Sequence, residues 1–166
     1  MPVYMHCGQI ANFKTESQIE IEKIPFALNS KLKKSIVIKN AEEVEEKFHS
    51  RYNAKQKTYR YVINNSKFGS AIYRDLEYHM PIKLDLNAMK KAVKYFEGEH
   101  DFGSFKASGT SSKNSIRAIY KAEIIEDRER IKIELTGNGF LYKMVRIIAG
   151  TLVDVGLRKN KSRRYS

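Results

Sequence analysis

Gly137-Asn138-Gly139-Phe140-Leu141-Tyr142-Lys143-Met144-Val145-Arg146-Ile147-Ile148-Ala149-Gly150 is the stretch that decides how this chain is read. Two glycines two residues apart mark a turn where the backbone needs freedom or close approach. Phe140, Leu141, Met144, Val145, Ile147, Ile148, Leu152 and Val155 then recur at helical spacing and predict a helix with a broad buried face. Arg146 falls inside that run. A guanidinium cannot shed its charge, so burying it demands a carboxylate, phosphate or carbonyl partner. Two readings stand: an arginine snorkelling from the edge of the buried face, or one held in a site to meet an anion or a catalytic carboxylate.

Working outward, 166 residues make one domain or a large part of a two-lobed one, and a hydrophobic fraction of 42% can build a core. Lys plus Arg outnumber Asp plus Glu by 31 to 19, a net charge of +12. A polyanion is the first partner such an excess suggests, nucleic acid above all, against the plain reading of a generic basic surface. The single Cys7 excludes an internal disulfide framework and a cysteine-rich metal site. No apolar run is long enough to span a bilayer and no signal peptide is seen, so the expectation is a soluble, cytoplasmic protein without a membrane partner.

Upstream, the start Met1-Pro2-Val3-Tyr4-Met5-His6-Cys7 has neither helical nor strand period. Gly8–Thr15 alternates enough to predict a strand, with a bulge because Ile10 and Phe13 are out of phase. Pro25 suits the first turn of a short helix within Ile24–Leu32. Ser35–Lys39 is a β-branched strand, and the acidic Ala41–Glu46 a turn or short helix. From Lys55 to Asn65 the alternation is clear: Tyr59, Tyr61 and Ile63 share one face, with Arg60 and Val62 on the other. Asn64-Asn65-Ser66 closes that strand. Asp85 caps a helix from about Leu86 to Phe96, whose stripe is Leu86, Met89, Val93 and Phe96, and Gly98 ends it. Residues 107–115 form a Ser-, Gly- and Lys-rich loop. Ile116, Ala118, Tyr120, Ala122 and Ile124 alternate, as do Ile131, Ile133 and Leu135, around a hairpin turn at Glu126–Arg130. The tail from Arg158 to Ser166 is basic, lacks an apolar period and reads as disordered. The domain is therefore drawn over residues 1–157, with 158–166 as its tail. The fold class is α+β, with a largely antiparallel sheet and helices packed on one face.

Several groups could carry chemistry. Tyr52, Tyr59 and Tyr61 lie among Arg51, Lys55, Lys57 and Arg60, and aromatics interleaved with cations suit an unstacked base and its phosphates. Tyrosine in a half-buried strand is equally ordinary. His100-Asp101 is an unconvincing metal fragment, because sequence neighbours point apart and no second ligand cluster lies nearby; a turn capped by Asp101 or His100 is preferred. His6-Cys7 meets the same objection. Phosphate-cradling glycine loops and a G-x-S-x-G elbow are missing, and the serines of Ser108–Ser115 have nothing around them to make a nucleophile.

Five segments together resemble the TruA family of tRNA pseudouridine synthases, in that family's order and at similar spacing from about residue 8 to about residue 157. They are Gly8–Phe13, Phe48–Tyr52, Lys57–Tyr61, Gly98–Phe105 and Gly139–Arg146. The resemblance implies a pseudouridine synthase catalytic-domain fold and an isomerase that converts uridine to pseudouridine in the anticodon stem-loop of tRNA, with neither cofactor nor metal. The base is flipped out, its glycosidic bond broken, and the uracil rotated and rejoined through carbon. On the same resemblance Tyr59 matches the active-site tyrosine that stacks on the target base, and Arg146 the arginine that pairs with the catalytic aspartate. Arg51, Lys57, Tyr61, His100 and Phe105 fall in motifs on the substrate side. A tRNA partner fits the basic surface, and family members are homodimers.

The sequence also departs from the family. The nucleophile lies in an Arg-Thr-Asp motif ahead of the Gly-Gln pair. Counting back from Gly8 lands on Met1, or with a one-residue slip on Pro2, and neither is an aspartate. The first strand and helix, and the closing helix and strand, do not match either. The expectation is a fragment truncated at both ends and inactive alone, with Asp101 only a poor local substitute. The alternative is a non-catalytic RNA-binding module that keeps the basic face and Tyr59.

Overall fold

The computed structural model describes residues 8–109 and 114–162. Residues 1–7 with the His6-Cys7 pair, residues 110–113 of the expected loop, and residues 163–166 of the basic tail lie outside the described residues. Contacts along the chain group it into two compact units divided between Ala54 and Lys55.

In the unit that ends at Ala54, a one-turn 3-10 helix at Ile21–Lys23 leads into α1 (Ile24–Asn29). Pro25 sits in its first turn, where its missing N–H costs nothing. The two strands expected here do not form: residues 8–15 and 35–39 carry no ladder. Ile10, Phe13, Ile36 and Val37 are all exposed. A β-branched run becomes a strand only where a partner strand and a buried face await it, and none pairs with either segment among the described residues. Ile38 is instead held by one side chain, donating its N–H to Asn29 Oδ1 (2.8 Å) while Asn29 Nδ2 donates to its carbonyl (2.9 Å). The acidic segment resolves as a turn, Phe48 N–H donating to the Glu45 carbonyl.

The second unit is built on five strands: β1 (Lys57–Asn64), β2 (Tyr78–His79), β3 (Gly98–Asp101), β4 (Ile116–Asp127) and β5 (Arg130–Gly137), in the spatial order β2-β1-β5-β4-β3. Every neighbouring pair is antiparallel except β1 and β2, which run parallel for two residues. Two helices, α2 (Leu86–Val93) and α3 (Met144–Ser162), pack on each other, α2 against β4 and α3 against β1. The expected α+β class is thus the observed one. Among the described residues, no helix is long and apolar enough to cross a membrane.

Strand β5 explains where the core lies. Its burial alternates strictly, with Ile131, Ile133 and Leu135 inward. Opposite them on β1 stand Ile63, Tyr61 and Tyr59, and on β4 Ile124 and Ala122 face Ile133 and Leu135. This face meets Met89 and Val93 of α2 and Met144, Ile148 and Leu152 of α3. Each fully buried aliphatic side chain contributes about 1.5–3 kcal/mol. The helices approach closely at Gly156, where a Cβ would lie 2.8 Å from Met89 Sδ and 3.2 Å from Leu84 Cβ.

Four sequence expectations change here. First, the apolar helix begins at Met144 rather than Phe140, so Phe140 and Leu141 belong to its lead-in. Second, α3 runs on to Ser162, past the expected end of the domain at Leu157, over Lys and Arg residues of good helix propensity. Third, Tyr120 is the extra residue of a β-bulge, because Ile119 opposes Gly137 and Lys121 opposes Thr136. Tyr120 therefore faces outward and Ile119 is buried, against the predicted alternation. Fourth, α2 gives way to a 3-10 turn at Lys94–Phe96, and Gly98 (φ 102) opens β3 instead of capping the helix. The cap at the other end is as expected: Asp85 Oδ1 accepts the Ala88 N–H at 2.9 Å.

Residues 64–66 do more than close a strand. Asn65 Nδ2 donates to the carbonyls of Met80 and Ile82, and its Oδ1 accepts the Leu84 N–H, so one amide holds the irregular return from β1 to α2. Beside it, buried Asn64 donates to Glu77 Oε1 (2.6 Å), and Arg130 Nε donates to Glu77 Oε2 (2.6 Å) while stacking 4.7 Å from the Tyr73 ring centroid. This bonding, chiefly the Glu77 carboxylate, raises the Arg130 pKa. Glu77→Ala strands Arg130 and Asn64; we expect a loss of about 2–3 kcal/mol, read as a lower urea midpoint at unchanged denaturant slope.

Candidate functional site

The first tyrosine is placed by the pairing of β1 with β5. Lys57 opposes Gly137, Tyr59 opposes Leu135 and Tyr61 opposes Ile133, so both tyrosines lie on the helix-bearing face. They are half-buried and packed against the core. Arg60, between them, points to the opposite face and meets Glu134, and Lys57 is exposed.

The turn after β5 brings the second group. Gly137 is obligatory there: a Cβ would lie 2.5 Å from the Ala118 carbonyl oxygen. Asn138 then clamps β4, its Oδ1 accepting the Ala118 N–H (3.1 Å) and its own N–H donating to the Ala118 carbonyl (3.0 Å). That fixed turn delivers Phe140 against Tyr59, ring centroids 5.1 Å apart and planes at 78°, an edge-to-face pair. Nothing in the sequence singled out this contact, because Phe140 was indistinguishable from the helix's apolar stripe. Arg146 lies in the first turn of α3, half-buried between buried Val145 and Ile148. The structure thus sets Tyr59 and Arg146 on contacting elements, β1 and α3.

Lys143, just before α3, has φ 59, a left-handed conformation that costs a non-glycine residue roughly 1–2 kcal/mol. Its Nζ lies 5.2 Å from the centroid of the exposed Tyr142 ring. Tyr142 is tied to the loop after β3, accepting the Ala107 N–H at 3.1 Å.

His100 and Asp101 lie on β3, the edge strand beside β4. Both serve the local backbone, as the turn reading expected. His100 Nε2 bonds the Glu97 carbonyl (2.8 Å) and its ring stands edge-on to Phe102. Asp101 Oδ1 accepts the Gly103 N–H at 2.8 Å. Hydrogen bonding from the Ser115 hydroxyl, then from Gly103, holds the Asp101 carboxyl below the usual aspartate range. A carboxylate so engaged is poorly placed as a nucleophile. Phe105, in the one-turn 3-10 helix Gly103–Phe105, packs edge-to-face on Phe96 and Phe102. Glu97 caps the Ala122 N–H (2.9 Å) where β3 no longer covers β4. Its carboxyl is held low by Lys94, then by that N–H. Among the described residues, no three His, Cys, Asp or Glu side chains gather as metal ligands.

Arg51 belongs to the other unit. There His49 Nδ1 accepts the backbone N–H groups of Arg51 and Tyr52, the His49 and Tyr52 rings are 4.3 Å apart, and the Arg51 guanidinium lies 5.9 Å from the exposed Tyr52 ring.

Because its folded pKa is depressed, Asp101 stabilises the β3 turn above aspartate's ordinary value, and that contribution is lost as pH falls through the folded value. Amide exchange followed by NMR should show Gly103 N–H protection dropping across that acid range. In Asp101→Ala the protection should be low at every pH.

Residues 92–166 match the family model described as tRNA pseudouridine synthase. The chain is 51% identical over 154 residues to tRNA pseudouridine synthase A of Caldicellulosiruptor saccharolyticus, covering 93% of this chain and 63% of that relative. It is 50% identical over 153 residues to the protein of that name from a Thermoanaerobacter species (92% and 63%). With Acetivibrio thermocellus the identity is 49% over 152 residues (92% and 62%). The chain therefore spans somewhat under two thirds of the length of these curated relatives. The family-model match takes in Phe140 and α3, and the likeness to these relatives, each named tRNA pseudouridine synthase A, extends over most of this chain.

Proposed function

We propose that this chain is the larger part of a tRNA pseudouridine synthase that isomerises uridines of the anticodon stem-loop without a cofactor. The observation that carries the reading is Tyr59: its ring is half-buried at the end of the core, held edge-on by Phe140, on a strand that touches the helix bearing Arg146. A flipped uracil needs one flat, fixed aromatic face and a proton carrier. The isomerisation breaks the bond from ribose C1′ to uracil N1 and forms the bond from C1′ to C5. C5 loses a proton and N1 gains one, so no other reactant is consumed. Tyr59 stacks on the uracil and its hydroxyl is the proton carrier. Arg146 pairs with the nucleophilic aspartate, which its guanidinium keeps ionised.

The chain contains no Arg-Thr-Asp sequence, so on this reading the aspartate comes from a segment outside these 166 residues, and the chain alone binds tRNA without turning it over. Arg51 and Lys57 contact phosphates, and His100 lines the substrate side. Tyr61 and Phe105, the other two residues on the RNA side, serve it by packing on the core, which holds β1 and the loop after β3 in place. The reading extends to a homodimer, as in the family the motifs resemble.

The test joins ahead of this chain a segment bearing the Arg-Thr-Asp motif that the resemblance implies and assays pseudouridine in an unmodified tRNA transcript. We expect product in the anticodon stem-loop from the joined protein and none from the chain alone. Tyr59→Phe in the joined protein should lower turnover by about 10²-fold or more with tRNA affinity little changed. A folded, tRNA-binding joined protein that forms no pseudouridine would defeat the proposal, as would turnover indifferent to Tyr59→Phe.

A further inference from the structure

We propose that Lys143, Tyr142 and Lys106 form the surface on which the RNA strand is held as it delivers a nucleotide to Tyr59: the two ammonium groups take phosphates and the Tyr142 ring packs against a neighbouring base. The inference rests on the tRNA reading above and assigns residues to it.

Most cations along the sheet are paired, Lys121 with Glu123 beside the end of β5 among them. Where β5 begins, Arg130 pairs with Glu77, Lys132 with Asp127 and Lys90 with Glu126. Where β5 ends, beside Phe140 and Tyr59, Lys106 and Lys143 are exposed and form no ion pair among the described residues. The two are brought together by the Ala107-to-Tyr142 hydrogen bond, which joins the residue after Lys106 to the residue before Lys143. The nearby carboxylate, Asp101, accepts from Gly103 and Ser115 and feels the charge of Lys106 without forming an ion pair with it.

The placing of Lys143 adds a second argument. A left-handed residue is ordinarily Gly or Asn, and a lysine there is disfavoured by its own Cβ. Lys143 stands in that conformation, over the exposed face of Tyr142. Arg128 carries the same backbone conformation at the far end of β5, so what marks Lys143 is its place beside the exposed Tyr142 ring and Phe140. Ammonium groups flanking an open aromatic face suit RNA, whose phosphates and bases alternate along the strand.

The same sheet supplies a matched control. Arg128, in the turn between β4 and β5, has φ 56 and is also exposed. It sits at the opposite end of β5, roughly 20 Å away at about 3.3 Å per residue. Lys143→Asn and Arg128→Asn each remove one charge and place the same αL-tolerant residue in the same backbone conformation, so their effects on folding match and only their location differs.

The experiment measures binding of the purified chain to a fluorescently labelled, unmodified tRNA transcript by anisotropy, across about 50–200 mM salt. Lys143→Asn should weaken binding several-fold at the low-salt end, lower the slope of log affinity against log salt by about one, and keep or raise the melting temperature. Adding Lys106→Ala should lower the slope by about one more. Tyr142→Ala should weaken binding with the slope unchanged. Arg128→Asn should leave affinity and slope as in the parent chain. If the parent binds but Lys143→Asn and Arg128→Asn behave alike, the surface is elsewhere and the inference is wrong while the tRNA reading stands. If the parent chain does not bind tRNA at all, the tRNA reading fails and the inference falls with it.

Discussion

The structure depends on the inward face of one central strand. Ile131, Ile133 and Leu135 of β5 are buried, flanked by β1 and β4, and roofed by α2 and α3. Burial of this stripe fixes the register of both neighbours, because a slip of one residue would turn every side chain to the opposite face. The place of Tyr59 follows directly: as the partner of Leu135 it can only lie at the end of the apolar face. The site is therefore an extension of the core rather than an addition to it, and its aromatic pair is positioned by the same interaction that makes the sheet stable.

A second constraint acts where β5 ends. Gly137 leaves no room for a Cβ against Ala118, and Asn138 ties the turn to β4 in both directions. The bulge at Tyr120 lies beside this close approach and takes up the mismatch in register. Together they set the point from which Phe140 reaches Tyr59 and from which α3 starts. The Gly-Asn-Gly sequence is thus a positional device: small where backbones meet, polar where strand groups need a partner, then apolar where the core resumes.

Legibility followed the origin of each element. Period-two burial made β1, the hairpin of β4 and β5, and their inward residues readable, because these strands are half-buried in a regular way. The α2 cap was readable because Asp85 acts within one turn. Strands expected at residues 8–15 and 35–39 failed because β-branched composition does not supply a partner. The start of α3 was misplaced, since Phe140 and Leu141 are as apolar as the helix they precede. Tyr59 and Arg146 were reached through motif resemblance, and the periodic pattern alone left both open to bland readings. The Phe140 contact and the approach of Lys106 to Lys143 arise from residues far apart in sequence, and no local pattern announces them.

The pairing of β1 with β5 joins residues as distant as Lys57 and Gly137. During synthesis at about 5–20 residues per second, β1 waits roughly 4–15 s for its partner to be made. Over that interval the strand that carries Tyr59 is a nascent β-segment with unpaired backbone on a ribosome crowded with others. Lys57 precedes its tyrosines and Arg60 lies between them, and such charges discourage edge-to-edge association between copies. The cationic side chains of β1 thus protect the newborn strand before any sheet exists to shelter it.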